Sequence, residues 1–129
     1  MVNRLLQPQE IEVFYVLPAM RREIALCMKE DGKSQKDIAK LLSVTEPAIS
    51  QYMTSKRASL LKFNDKLKAE LKTAAKRITG EISLMREIQR LLHLIRMERV
   101  VCQVHESLGS APKGCNVCFE TSELINIKS

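Results

Sequence analysis

The feature of this 129-residue sequence that most restricts its fold is the spacing of apolar side chains between Glu81 and Ser107. With each residue of an α-helix advancing ~100°, Leu84, Met85, Ile88, Leu91, Leu92 and Ile95 fall within a sector of ~120°. A stripe that wide needs a partner surface, so the segment predicts a long amphipathic helix from Glu81 to about Ser107. The partner is either the N-terminal helices of the same chain or the same stripe on a second copy. The dimer is the favoured reading, because the N-terminal helices offer little spare surface.

Aromatic residues make up 4% of the chain and tryptophan is absent, so the core must be built from Leu, Ile, Val, Met and Ala, which leans to a mainly α fold. Residues 1–16 fit a strand through the alternation of Ile11, Val13 and Tyr15, and fit a helix start at Pro8-Gln9-Glu10 equally well. The first clear helix runs from Leu17, with Pro18 at its first helical position, Ile24, Cys27 and Met28 on one face, and Asp31-Gly32 as its stop. Asn64 is placed to cap another helix, with Leu67, Leu71, Ala75 and Ile78 on one side and the basic residues of 66–77 around it. Those lysines read as a solvated face. Two regions are expected: a DNA-binding unit at 1–62, then long dimerisation helices with a small metal-binding segment at 63–129.

Between them lies the most specific pattern. In QKDIAKLLSVTEPAISQYMT, Ser34 can cap one short helix and Thr45 a second, with Pro47 harmless in its first turn. Ala39, Ser43, Val44 and Ile49 stand where two steeply crossed helices need a small residue, a tight turn and apolar pins. Ile38, Leu42 and Tyr52 complete the inner faces. Outward positions of the second helix carry Thr45, Glu46, Ser50, Gln51 and Thr54, polar groups able to meet base edges in a major groove. Lys56 and Arg57 can neutralise phosphates, and Gln35 can touch the backbone at the other end. Ser43 departs from the glycine usual at a left-handed turn. Lys56 to Phe63 reads as a linker. A net charge of +6 favours a polyanionic partner.

The stretch CQVHESLGSAPKGCNVC holds three of the four cysteines and one of the two histidines. MVNRLLQPQEIEV places Glu10 and Glu12 where a signal peptide would be apolar, so a cytoplasmic location is expected, where paired cysteines signal metal ligands before disulfides. Cys102 and His105 lie three apart near a helix end, and Cys115 and Cys118 follow after a turn that Gly109, Pro112 and Gly114 permit. Three thiolates and an imidazole suit a closed structural zinc site, slightly favoured, or an iron–sulfur cluster. Cys27 reads as packing and His93 as solvated.

The residues LPAMRREIA at 17–25 and SQKDIAKLLSVTEPAISQYMTSKR at 34–57, with the C-terminal CxxH and CxxC, make the chain similar to the Xre-like helix-turn-helix regulators, and within them to small archaeal predicted transcriptional regulators. The resemblance covers most of residues 17–118 and implies a homodimeric transcription factor on a near-palindromic operator, with half-sites ~34 Å apart. An enzyme is not expected. A zinc deaminase would place its glutamate two residues beyond the histidine, whereas Glu106 follows His105 directly, and Gly114 stands where a proline would precede Cys115. The competing class is a helical protein-interaction module, such as an antitoxin or adaptor, with structural zinc. No apolar run reaches the ~18 residues of a bilayer span.

Overall fold

A computed structural model describes residues 6–109, 111, 114–118 and 120. The chain is mainly α, with no strand among the described residues. Its elements are α1 (Pro8–Ile11), a π-helical turn (Glu12–Val16), α2 (Leu17–Glu30), α3 (Gln35–Leu41), α4 (Glu46–Thr54), α5 (Lys56–Leu60), α6 (Asp65–Arg77), α7 (Glu81–Met97) and α8 (Val100–Ser107). No helix among the described residues is long and apolar enough to cross a membrane.

Residues 8–30 form one uninterrupted helical stretch, so Pro18 is internal to a helix rather than at its start. A proline within a regular helix removes a donor and drives its ring into the carbonyl four residues back. Here the preceding turn is wide, and the Leu17 amide donates to the Glu12 carbonyl. That π-helical turn relaxes the ladder where the proline would strain it. Of the ambiguous residues 1–16, the first five lie outside the described residues, and the stretch from Pro8 on is helical: Ile11 and Val16 are fully buried, while Val13 and Phe14 face outward.

α2 lies at the centre and packs against α4, α5 and α6. Met20, Ile24 and Met28 share a core with Leu67 and Leu71 of α6 and with Leu91 and Ile95 of α7. One apolar core therefore runs across the expected boundary at 62/63. The wide stripe of α7 is largely satisfied within the chain: Leu91, Leu92 and Ile95 are buried, Leu84 and Ile88 are partly covered, and Met85 stays 64% exposed.

The long helix expected from Glu81 to Ser107 is broken. Arg99 adopts φ 59°, the left-handed region, and α8 leaves in a new direction that sets Val100, Val101 and Val104 into the core. The stretch expected as a linker at Lys56–Phe63 contains α5, because the Ser55 hydroxyl accepts from the Ala58 amide at 3.3 Å and Ala58 and Phe63 bury their side chains.

Ion pairs fix α7. The buried Glu12 carboxylate accepts from Arg96 Nε at 2.6 Å and Nη2 at 2.9 Å. Burial of Glu12 would cost several kcal/mol without such a two-pronged partner. Buried Glu87 accepts from Arg90 Nε at 3.1 Å and Nη2 at 2.9 Å, and the same guanidinium reaches Glu70 on α6.

Candidate functional site

Helices α3 and α4 are set by their own ends. The Ser34 hydroxyl accepts from the Asp37 amide at 3.1 Å, and Thr45 Oγ1 accepts from the Ala48 amide at 3.2 Å. Each satisfies an amide that a helix start would otherwise leave unpaired. Between them, the Ser43 amide donates to the Lys40 carbonyl at 3.2 Å and the Val44 amide to the Ala39 carbonyl at 3.0 Å. This is a Schellman turn with serine in the left-handed position, at φ 54°. Ile38, Ala39, Leu42 and Ile49 are buried and pin the two helices together.

The outer face is polar throughout. Gln35, Thr45, Glu46, Ser50, Gln51, Thr54, Lys56 and Arg57 are all exposed. Gln35 Nε2 donates to the Glu46 carbonyl at 3.1 Å and to Ser50 Oγ at 2.9 Å, so one amide braces the first two turns of α4 from α3. The Ser50 hydroxyl proton is then free to point outward, since its oxygen is the acceptor. Thr54 Oγ1 bonds back to the Ser50 carbonyl at 3.3 Å. The Arg57 guanidinium lies over the Phe14 ring, 5.5 Å from its centroid. That contact is not legible in the sequence, because it depends on the π-helical turn turning Phe14 outward beside α5. It holds a cation at the start of α5, just beyond α4, while leaving it exposed.

The other candidate region holds the C-terminal cysteines, of which Cys102 and Cys115 are partly buried and Cys118 is exposed. The Gly114 amide donates to Glu106 Oε1 at 3.0 Å, and Arg99 Nη2 donates to Asn116 Oδ1 at 2.9 Å. These bonds return the chain past α8, with Gly109 and Gly114 both at positive φ as the turns require. Burial pushes the Cys102 thiol above its ordinary value, Cys118 and Cys115 act in the same sense, and Arg99 opposes them. Cys102 and Cys118 line a groove of about 520 Å³, with Glu12, His93 and Arg96 among its other walls.

His105 is directed elsewhere. It is buried, its Nε2 meets the Leu6 carbonyl, and it does not line the groove. Among the described residues, no group of three or more His, Cys, Asp or Glu is arranged to hold a metal ion. The donor chemistry of the cysteines suits zinc or an iron–sulfur centre, whereas the set Cys102, His105, Cys115 and Cys118 does not stand as a ready-made tetrad. His93, read from the sequence as solvated, is exposed and borders the same groove. In one straight helix, the nine-residue separation of His93 and Cys102 would be ~13 Å along the axis. The break at Arg99 folds that separation into a corner. Cys27 is half-buried on α2, with its thiol pushed up by burial, as a packing residue would be.

Comparisons with protein-family models, with curated proteins and with solved structures found no match to this chain.

Proposed function

We propose that the protein is a sequence-specific DNA-binding transcriptional regulator of the helix-turn-helix kind, with α4 as its reading helix. The observation that carries this reading is the brace from Gln35 to Glu46 and Ser50, which holds an exposed row of small polar side chains beside Lys56 and Arg57. A surface designed only for packing would be apolar there, and one designed only for solubility would not need its second turn tied to a neighbouring helix. Glu46, Ser50 and Gln51 supply acceptor and donor groups for base edges. Lys56 and Arg57 supply charge for phosphates, giving affinity without sequence choice.

The regulator acts as a homodimer on a near-palindromic operator. Leu91, Leu92 and Ile95 are buried within the chain and unavailable to a dimer seam, whereas Ile82 and Met85 at the start of α7 are exposed. The C-terminal thiols hold zinc or an iron–sulfur centre: zinc would close this segment as a staple, and a cluster would supply redox chemistry.

The test is selection from random genomic fragments by the full chain, followed by binding measurements over a salt series. A recurring two-fold-symmetric site is expected. Replacing Ser50 and Gln51 together with alanine should relax site choice, and Arg57→Glu should weaken all sequences alike and flatten the salt dependence. Selection of no recurring site would turn the assignment to a protein-interaction module.

A further inference from the structure

We propose that Phe14 is a positioning residue for DNA binding: its ring holds the Arg57 guanidinium at the edge of the reading unit, ready for a backbone phosphate. The inference rests on reading α4 as the helix that meets DNA.

The ring is outside because of the turn that carries it. In a regular helix, side chains five residues apart, such as Ile11 and Val16, would point ~140° apart. The wide turn from Glu12 to Val16 narrows that angle, and both side chains are fully buried. Phe14 lies between them on the outer side and is 39% exposed, although phenylalanine is among the residue types most often buried. α5 packs against this turn, which brings Arg57 over the ring with its guanidinium carbon 5.5 Å from the centroid.

Arg57 is thus held from two directions. Its backbone belongs to α5, whose start is set where the Ser55 amide donates to the Gln51 carbonyl at 2.8 Å and the Ser55 hydroxyl accepts from the Ala58 amide at 3.3 Å. The exposed Gln51 and Thr54 of α4 stand just before that junction. The guanidinium rests on Phe14, and among the described residues it makes no ion pair or hydrogen bond. Stacking uses the flat face of a guanidinium and hydrogen bonding uses its edge, so the N–H groups stay open to a phosphate while the ring holds the carbon. An unsupported arginine gives up rotamer freedom when a phosphate orders it, whereas a stacked one has given up part of it on folding. Lys56, exposed beside it, has no such ring among the described residues.

The experiment uses the full chain and a mixed-sequence DNA duplex of about 30 base pairs, because phosphate contacts carry no sequence choice. Binding is followed by fluorescence anisotropy over a salt series. Phe14→Leu keeps an apolar side chain and removes the ring. Affinity should fall ~2- to 5-fold per bound subunit, the fold-change that corresponds to the ~0.5–1 kcal/mol of an exposed cation–ring contact. Phe14→Tyr retains the ring and should bind within about 1.5-fold of the parent. Arg57→Gln should weaken binding and lower the slope of log affinity against log salt by ~0.9 per subunit. With Arg57→Gln already in place, Phe14→Leu should have no further effect. Phe14→Leu matching the parent overturns the proposal, as does an equal loss with and without Arg57, or Phe14→Tyr binding as poorly as Phe14→Leu. A salt slope that Arg57→Gln leaves unchanged also overturns it, since Arg57 then meets no phosphate. A parent chain that shows no salt-dependent binding overturns the DNA reading itself, an outcome distinct from all of these.

Discussion

Leu91→Ala separates the two ways in which the stripe on α7 can be satisfied. Leu91 has no exposed surface, and its neighbours in the core come from α2, α6 and α7 of one chain. Truncating a fully buried leucine removes its transfer free energy and leaves a cavity, together ~2.7–5 kcal/mol, so ~3 kcal/mol is expected. A domain of this length has a total stability of ~6–19 kcal/mol at the usual value per residue, so the loss is large but survivable. With a urea dependence of ~1.5 kcal/mol per molar, the unfolding midpoint should fall by ~2 M. The assay is urea unfolding followed by far-ultraviolet circular dichroism at two protein concentrations, tenfold or more apart. Because the contact is within one chain, the cost of Leu91→Ala should be the same at both. Met85→Ala, at a position 64% exposed, should cost under ~0.5 kcal/mol. A loss below ~1 kcal/mol at Leu91, or a loss that vanishes on dilution, would refute the intrachain packing of α7.

Two other perturbations test the local chemistry. Ser43→Gly should raise stability by ~0.5–1 kcal/mol, because a side chain at φ 54° pays a steric cost that glycine avoids, less the glycine's greater freedom when unfolded. A lower melting temperature in the variant would contradict this. The Arg90 hydrogen bond holds the Glu70 carboxyl below its usual range against partial desolvation. A depressed carboxyl stabilises the fold above its unfolded value, and that contribution disappears as pH falls through the folded value. Glu70→Gln should therefore be modestly less stable than the parent near neutrality, the pair being partly exposed, and the gap should close in acid. A gap that is constant across acid unfolding curves would rule the pairing out as a source of stability.

The parts of this fold that are legible in the sequence are those whose causes are local. Ser34, Thr45 and Pro47 mark the starts of α3 and α4 through bonds made within three residues, and each of the two hydroxyls accepts the expected amide. Ser43 marks the turn even without glycine, because the apolar pins on either side leave the chain no other place to reverse. The eight polar positions around α4 were legible for the same reason: once the buried residues of two short helices are known, the exposed ones follow from the period. By contrast, nothing about arginine favours positive φ, so the break at Arg99 has no signature in composition or spacing. The stripe on α7 called for a partner and favoured a second copy, whereas Leu91, Leu92 and Ile95 are buried within the chain itself. Pro18 read as a start because a proline is comfortable there; only the π-helical turn before it makes an internal position acceptable. That His93 lines the same groove as Cys102 and Cys118 depends on the break, and so was hidden with it.

That same π-helical turn joins the two ends of the molecule. Glu12 and Phe14 are two residues apart in it, and they meet opposite partners: Glu12 grips Arg96 at the cysteine-lined groove, and Phe14 lies against Arg57 in α5, just beyond α4. Helix α1, which continues into the turn without a break, supplies Pro8 and Gln9 to the groove wall, and the preceding Gln7 joins them. Glu12 at the groove wall and the ring that holds the Arg57 cation are thus less than one helical turn apart along the backbone. The link between the groove wall and Arg57 runs through the irregular turn before Pro18, which no sequence motif at either end would reveal.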